Sequence, residues 1–380
     1  MFRRLTFKTN IIKEYSLYLL YGIYGVLVTY PLIFLSVYVY KFGGIIATAL
    51  IYAASAFSIG IAPIFISPLS DKTGFRIKYS NIFILLGSLL MLLSISLKDF
   101  VLPILIIASA LLQVGQPLFI SYETERNKNV GSSVSKFYIF INLGYLFGSL
   151  LFGLIISYFG FESTTIIFSL AGIVISIVFL RVKEERIYVK NPKKMSIIKA
   201  LFSSKLSSLI YSSMVIVPAL FFSIVPAYYV YFLNGNVLDW GIVNFTSTLT
   251  SVIASIYVGK IVDKIGVKKT LLVGSIYYPI YYLTLLFYPN QFIFAFLYSL
   301  PFWLFIWIPL YSYSAQISEV YERATFVSNM NFLIGIFRSF GGILGGLIVM
   351  FFDIYTFFIL SILLSVLFPI FIKIYNDKGN

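Results

Sequence analysis

Long apolar runs separated by short polar breaks follow one another along nearly the whole chain. Lipid offers no water to an exposed amide, so apolar runs of about 20 residues predict membrane-spanning α-helices. About 12 such runs can be traced. The first half contains Tyr15 to Tyr40, Gly44 to Leu69, Tyr79 to Leu97, Phe100 to Ser121, Val134 to Phe159 and Phe161 to Leu180. The second contains Leu206 to Leu233, Trp240 to Ile261, Thr270 to Tyr288, Phe292 to Gln316, Thr325 to Met350 and Ile354 to Ile374. Pro31, Pro117, Pro226 and Pro309 lie inside runs and predict kinks, because each removes an amide donor. The expected fold is an all-α integral membrane protein, with two six-helix bundles at residues 1–181 and 206–380 and a basic linker at 182–205.

A polar turn is written twice at corresponding places. Ser67-Pro68-Leu69-Ser70-Asp71-Lys72-Thr73-Gly74-Phe75-Arg76 and Gly259-Lys260-Ile261-Val262-Asp263-Lys264-Ile265-Gly266-Val267-Lys268 each join the second and third runs of a half. A second pair repeats as well: Glu125-Arg126 precedes Gly144 and Gly148 as Glu322-Arg323 precedes Gly341 and Gly345. Repeated halves in a membrane chain point to transport around a site between them. The glycine rows read as packing surfaces, where small residues let helices approach closely.

Composition agrees with a lipid solvent: 60% of residues are hydrophobic and 11% charged. The net charge of +14 is sorted by position. Arg3, Arg4, Lys8, Lys13, Lys72, Arg76, Lys78, Arg126, Lys128, Lys136, Lys260, Lys264, Lys268 and Lys269 fall on one face, whereas the opposite loops carry Lys41 and Lys98 beside Asp99, Glu162, Asp239 and Asp353. Cations are retained on the cytoplasmic side, so both termini are expected there, in a multi-pass cell-membrane protein. This topology signal, with attraction to anionic headgroups, accounts for the charge without a nucleic-acid partner. Within the linker, Met195, Ile198, Leu201 and Phe202 share one side of a possible helix against Lys194, Lys199 and Lys205, which suggests a spacer on the lipid surface. The first apolar run is too long for the core of a cleavable signal.

In the repeated turns the chain resembles the major facilitator superfamily, whose loop between helices 2 and 3 carries the pattern G-x-L-a-D-r-x-G-r-k. Leu69, Asp71, Lys72, Gly74 and Arg76 match in the first copy, where Ser67 and Phe75 depart from it. Gly259, Asp263, Lys264, Gly266 and Lys268 match in the second, with Ile261 and Val267 as departures. The resemblance implies alternating access between two bundles and a gate at the basic end. Asp71 would latch near Ala324 and Thr325, and Asp263 near Ser133 and Val134, each carboxylate facing a helix start. Gly74 and Gly266 would supply the turn, and Glu123, Glu319, Arg126 and Arg323 would join Arg76 and Lys268 in a gate network. The simpler alternative is that Asp and Lys cap helix ends in a solvated loop.

Arg338 falls midway through the eleventh run, where an unshielded cation costs at least about 2.5 to 3.5 kcal/mol. Its repeat counterpart is Ile141, so duplication does not explain it. A buried guanidinium suits the carboxylate or phosphate of a solute. Alternatively Arg338 bonds backbone carbonyls, Asn142 or Asn331, or lies nearer an interface. The resemblance puts the first, fourth, seventh and tenth helices around the path. Ser109, Gln113 and Gln116, then Tyr21, Tyr24 and Tyr30, and then Ser299, Trp303, Trp307 and Tyr311 are candidate linings, the last four at i, i+4 steps on one face. Ordinary packing is the competing role for each aromatic.

The expected function is secondary transport of a small organic solute, an organic anion in first place. Export of lipophilic compounds and ligand sensing without flux are the alternatives. With no Cys and no His, and with acids outside the span centres, neither an enzyme nor a metal site is indicated, and no cofactor or obligatory protein partner is expected. Proton symport is not signalled either. The family's helix-4 pattern R-x-x-Q-G is not kept, since Leu111 takes the arginine position, and the helix-5 Gly-Pro is absent because Ser149 follows Gly148. Facilitated diffusion or exchange fits better, although Glu123 or Glu319 could still carry protons.

Overall fold

The computed structural model describes residues 17–126, 130–180, 184, 206–316 and 323–374. No strand occurs among them. Nine helical stretches among the described residues are long and apolar enough to cross a membrane, two of them pairs divided at Gly43–Gly44 and at Gly160. Counting the shorter apolar segment Ile354–Ile370, the layout is the expected 12 helices in two bundles.

The helices are α1 (17–42), α2 (45–73), α3 (Ile77–Ser96), α4 (101–126), α5 (130–159) and α6 (161–180). The second half holds α7 (206–232), α8 (Val237–Ile265), α9 (Val267–Phe287), α10 (291–316), α11 (Arg323–Phe351) and α12 (Ile354–Ile374). Outside the membrane, Asp353 accepts the Thr356 amide at 2.6 Å ahead of α12. That bond holds its carboxyl below the usual carboxylate range.

Three of the four expected kinks lie where their prolines predict. Pro31 opens a π-turn at Tyr30–Phe34, α4 breaks at Val114 three residues before Pro117, and α7 is interrupted at Met214–Val215, before Pro218, and at Ser223–Ile224, before Pro226. Pro309 is the exception, since it sits inside the unbroken piece Leu304–Gln316. The interruption of α10 falls instead at Pro301, which pushes Leu300 into an extended conformation, as the residue before a proline prefers.

The glycine rows act as packing surfaces, and the duplication is visible in their partners. A Cβ on Gly144 would stand 2.1 Å from the Gly22 carbonyl of α1, and one on Gly345 would stand 2.2 Å from the Leu220 carbonyl of α7. Two seams join the halves, α2 on α11 and α5 on α8. In the first, Gly60 lies against Gly335 and Ser339 donates to the Ala53 carbonyl at 2.9 Å. In the second, Gly153 lies against Gly241. At the end bearing the acidic loops the halves are tied further: Trp240 Nε1 donates to the Ile33 carbonyl (3.0 Å), Tyr231 Oη to the Val37 carbonyl (3.0 Å), and Tyr40 stacks on Tyr231 at 4.2 Å.

Candidate substrate site

Arg338 stands at the middle of α11, half-buried, one residue before the Ser339 tie to α2. Its Nε donates to Tyr52 Oη of α2 at 3.3 Å, and its guanidinium lies 5.2 Å from the Tyr52 ring and 5.0 Å from the Trp307 ring of α10. Tyr145 of α5 is also within reach of its charge. Each cation–π contact is worth about 0.5 to 2 kcal/mol, more as water is excluded, so together they offset much of the cost of an arginine at this depth. Because Tyr52 and Arg338 belong to different halves, the contact crosses the bundle boundary.

The sequence did not single out Tyr52. Its signal was faint: the one aromatic residue in the stretch from Ala47 to Ala56 of α2, next to Leu50 and Ile51 and followed by Ala53-Ala54-Ser55-Ala56. Small neighbours are what let α11 come close here, and a Cβ on Gly342 would meet the Tyr52 ring at 2.8 Å. Behind Tyr52 a crevice is lined by Pro31, Leu32, Ser36, Ile51, Ser55, Phe222 and Ser223. The Ser55 hydroxyl there is buried and without a hydrogen-bond partner. An unsatisfied buried hydroxyl costs about 1 to 3 kcal/mol, so it is a ready donor for water or a solute oxygen.

The other expected lining residues divide. Tyr21 and Tyr24 are fully buried between helices: Tyr21 donates to Glu123 Oε2 (3.1 Å) and packs on Phe119 and Phe137, and Tyr24 donates to the Leu112 carbonyl (2.9 Å). In this conformation neither reaches open space. Tyr30 is buried likewise, sharing a 2.6 Å bond with Thr165. Gln113 is buried at the α4 break with Nε2 unpartnered, and Gln116 is partly exposed. The single face expected for Trp303 and Trp307 is divided by the break at Pro301. Trp303 Nε1 turns to Ser251 of α8 at 2.9 Å, whereas Trp307 faces Arg338. Asn142 and Asn331 are half-buried, and neither side chain forms a hydrogen bond among the described residues.

At the basic end the first turn is built tightly. Gly74 closes α2 in the left-handed region (φ 77°), and Arg76 is buried, donating from Nη1 to Ser70 Oγ at 2.5 Å. Glu184, just past α6, accepts the amides of Arg76, Ile77 (2.7 Å) and Lys78 (3.0 Å). Its carboxylate thus caps the start of α3, where free amides and the helix dipole favour negative charge. The second turn is open: Asp263 and Gly266 (φ 84°) are exposed, and Lys268 Nζ lies 3.5 Å from the Lys373 carbonyl. Asp263 forms no hydrogen bond or ion pair among the described residues. Glu123 is buried beside Tyr21 rather than at a surface gate. Glu319 and the linker pattern at 194–205 lie outside the described residues, as do the side chains of Asp71, Arg126 and Arg323.

The family profile described as Major Facilitator Superfamily matches residues 17–339. No curated protein matches the chain significantly. Among solved structures, the fold is similar to the nucleoside transporter NupG (TM-score 0.75, 13% identity, 96% of this chain and 100% of that one). It is also similar to an auto-inhibited POT family peptide transporter (TM-score 0.73, 9% identity, 96% and 98%). A bacterial homolog of the human lysosomal transporter Spinster, in an inward-facing and unoccupied conformation, aligns with TM-score 0.66 at 14% identity over 95% of each chain.

Proposed function

Since the chain belongs to the Major Facilitator Superfamily and is a secondary membrane transporter, we propose that its solute is a small organic anion anchored by Arg338. The observation that carries this reading is the placement of that guanidinium: mid-helix, at the boundary between the halves, between the rings of Tyr52 and Trp307. A cation is retained at such depth where it meets a charge or a polar cavity. A carboxylate binding along the guanidinium edge makes paired, charge-assisted hydrogen bonds.

Alternating access follows from the position of the ties. With the basic loops assigned to the cytoplasm, the outer end is closed by Trp240, Tyr231 and Tyr40, and the solute exchanges with the inner side. Each hydrogen bond there contributes about 1 kcal/mol net, so a solute that binds one state better by a few kcal/mol is enough to shift the population. Rocking opens these ties and brings together the turns at the other end, where Asp71, Asp263, Arg126, Arg323 and Glu319 form the second gate. No acid or histidine stands at a span centre, which favours exchange or facilitated diffusion over proton symport.

The test is counterflow into proteoliposomes preloaded with candidate organic anions. Saturable counterflow that persists with a protonophore and falls at least tenfold in Arg338→Ala is the expected result. Flux of lipophilic cations, equal in both proteins, would refute the anion assignment.

A further inference from the structure

Resting on the reading of an anion held at Arg338, we infer that the crevice behind Tyr52 receives a hydroxyl of that solute, so that the transported class is a hydroxy acid and Ser55 sets the preference for it. In transporters, interrupted helices at corresponding places of two halves point to the solute site. The four helices expected around the path, α1, α4, α7 and α10, are all interrupted, but the interruptions differ in what surrounds them. At α4, Tyr24 Oη donates to the Leu112 carbonyl (2.9 Å) and Ser80 Oγ to the Gly115 carbonyl (3.1 Å). At α10, Tyr277 Oη, Ser247 Oγ and Thr250 Oγ1 donate to the carbonyls of Leu297 (2.5 Å), Tyr298 (3.1 Å) and Ser299 (2.5 Å). Neighbouring hydroxyls seal both of these breaks. The breaks of α1 and α7 instead frame the crevice. Pro31 and Pro226 stand at corresponding places of the two helices, each with a π-turn, at Tyr30–Phe34 and at Tyr228–Phe232. Pro31, Ser36, Phe222 and Ser223 line the crevice together with Tyr52 and Ser55 of α2. Ser55 is 2% exposed and its hydroxyl has no hydrogen-bond partner. The Tyr52 hydroxyl accepts from Arg338 Nε and donates to no group among the described residues. Accepting from a charged donor polarises that hydroxyl and strengthens it as a donor. Two hydroxyl protons one helical turn apart on α2 thus stand without an acceptor beside the anchor. Ser36 and Ser223 spend their own protons on the Ile33 (3.4 Å) and Leu220 (2.9 Å) carbonyls, which leaves oxygen lone pairs that accept. A solute hydroxyl both accepts and donates, and so matches this set, whereas a methylene in its place leaves Ser55 unpaired. The space suits a single oxygen, since the crevice is about the size of one water.

Matched ligands that differ by one hydroxyl test the inference. Thermal unfolding of the purified protein in detergent is followed with 3-phenylpropionate and 3-phenyllactate, butyrate and 3-hydroxybutyrate, and succinate and malate, with 3-phenylpropanol and 3-phenyl-1,2-propanediol as an uncharged pair. The expected result is that at least one hydroxylated anion binds about tenfold or more tightly than its partner. Ser55→Ala should melt no lower than the wild-type protein, because it deletes an unsatisfied hydroxyl, and should weaken only the hydroxylated member of the pair. Arg338→Gln should weaken both members. Ser55→Cys, close in size and a weak donor, gives an intermediate preference and serves if the Ala variant does not fold. Binding that depends on Arg338 without a hydroxyl preference in any pair overturns the inference and leaves the anion reading standing. So does a preference that survives Ser55→Ala, the outcome if the crevice holds a bound water only. Equal weakening of both members by Ser55→Ala, with a lower melting temperature, marks Ser55 as structural and also overturns it. A Ser55-dependent preference that is as strong in the uncharged pair and ignores Arg338 supports the crevice and overturns the anion reading. Stabilisation by no anion of the panel overturns the hydroxy-acid inference.

Discussion

In the first copy of the repeated turn Arg76 is buried against Ser70, and Glu184 collects three amides at the start of α3; in the second, Asp263, Lys264 and Gly266 face outward. Both copies keep a positive-φ glycine, although ψ differs (7° at Gly74, 165° at Gly266), so the shared motif specifies a glycine-dependent bend rather than one backbone path. The charges are placed by what the rest of the chain brings to them. A carboxylate just past α6 turns the first copy into an enclosed joint within the N-terminal half. Duplication thus preserved the bend, while the two bends came to carry different loads.

The largest expected effect that separates the copies is Arg76→Ala. Removing a buried guanidinium leaves its acceptors unpaired and a void behind, for a loss of about 3 kcal/mol. Lys268→Ala, its counterpart, should change stability by less than about 0.5 kcal/mol. Thermal unfolding of the two variants side by side checks the contrast, and equal losses would show that both turns are enclosed. Next comes Gly266→Ala, at about 2 kcal/mol. Its φ of 84° with ψ of 165° lies in a region only glycine occupies readily, and nothing lies within 4 Å of an added Cβ, so the loss is backbone strain alone. Gly74→Asn should cost less than Gly266→Asn, because Gly74 (φ 77°, ψ 7°) is left-handed helical, where asparagine is tolerated. Smallest among the measurable effects is Glu184→Gln, about 1 kcal/mol, since an acceptor remains but the charge at the helix start is lost. Hydrogen exchange confined to the first turn of α3 would locate that loss.

Most of the fold was legible because lipid enforces it: helices of about 20 residues leave unmistakable apolar runs, and the repeat marks the halves. The break at Pro301 was missed because two prolines, Pro301 and Pro309, fall in one run, and sequence does not say which carbonyl will give way. That choice also decided that Trp307, and not Trp303, would face Arg338. Arg338 itself was legible because the duplication fails there, with Ile141 at the matching position fully buried. Tyr52 and Glu184 were not, since each acts through contacts with residues more than 100 positions away. The burial of Tyr21 and Tyr24 belongs with these, for periodicity finds a helix face without saying whether a neighbour or a path lies opposite.

At the seam between α2 and α11, Gly60 meets Gly335 backbone to backbone. Surfaces that interlock through side chains must lift one row of teeth over another to turn; two bare stretches of main chain need not. Under the proposed alternating access, the pair is a plain bearing at the pivot. On the proposed rocking motion this point offers little resistance, and the cost of a swing falls on the Ser339 and Tyr52 contacts along the same seam and on the rim that Trp240 and Tyr231 hold.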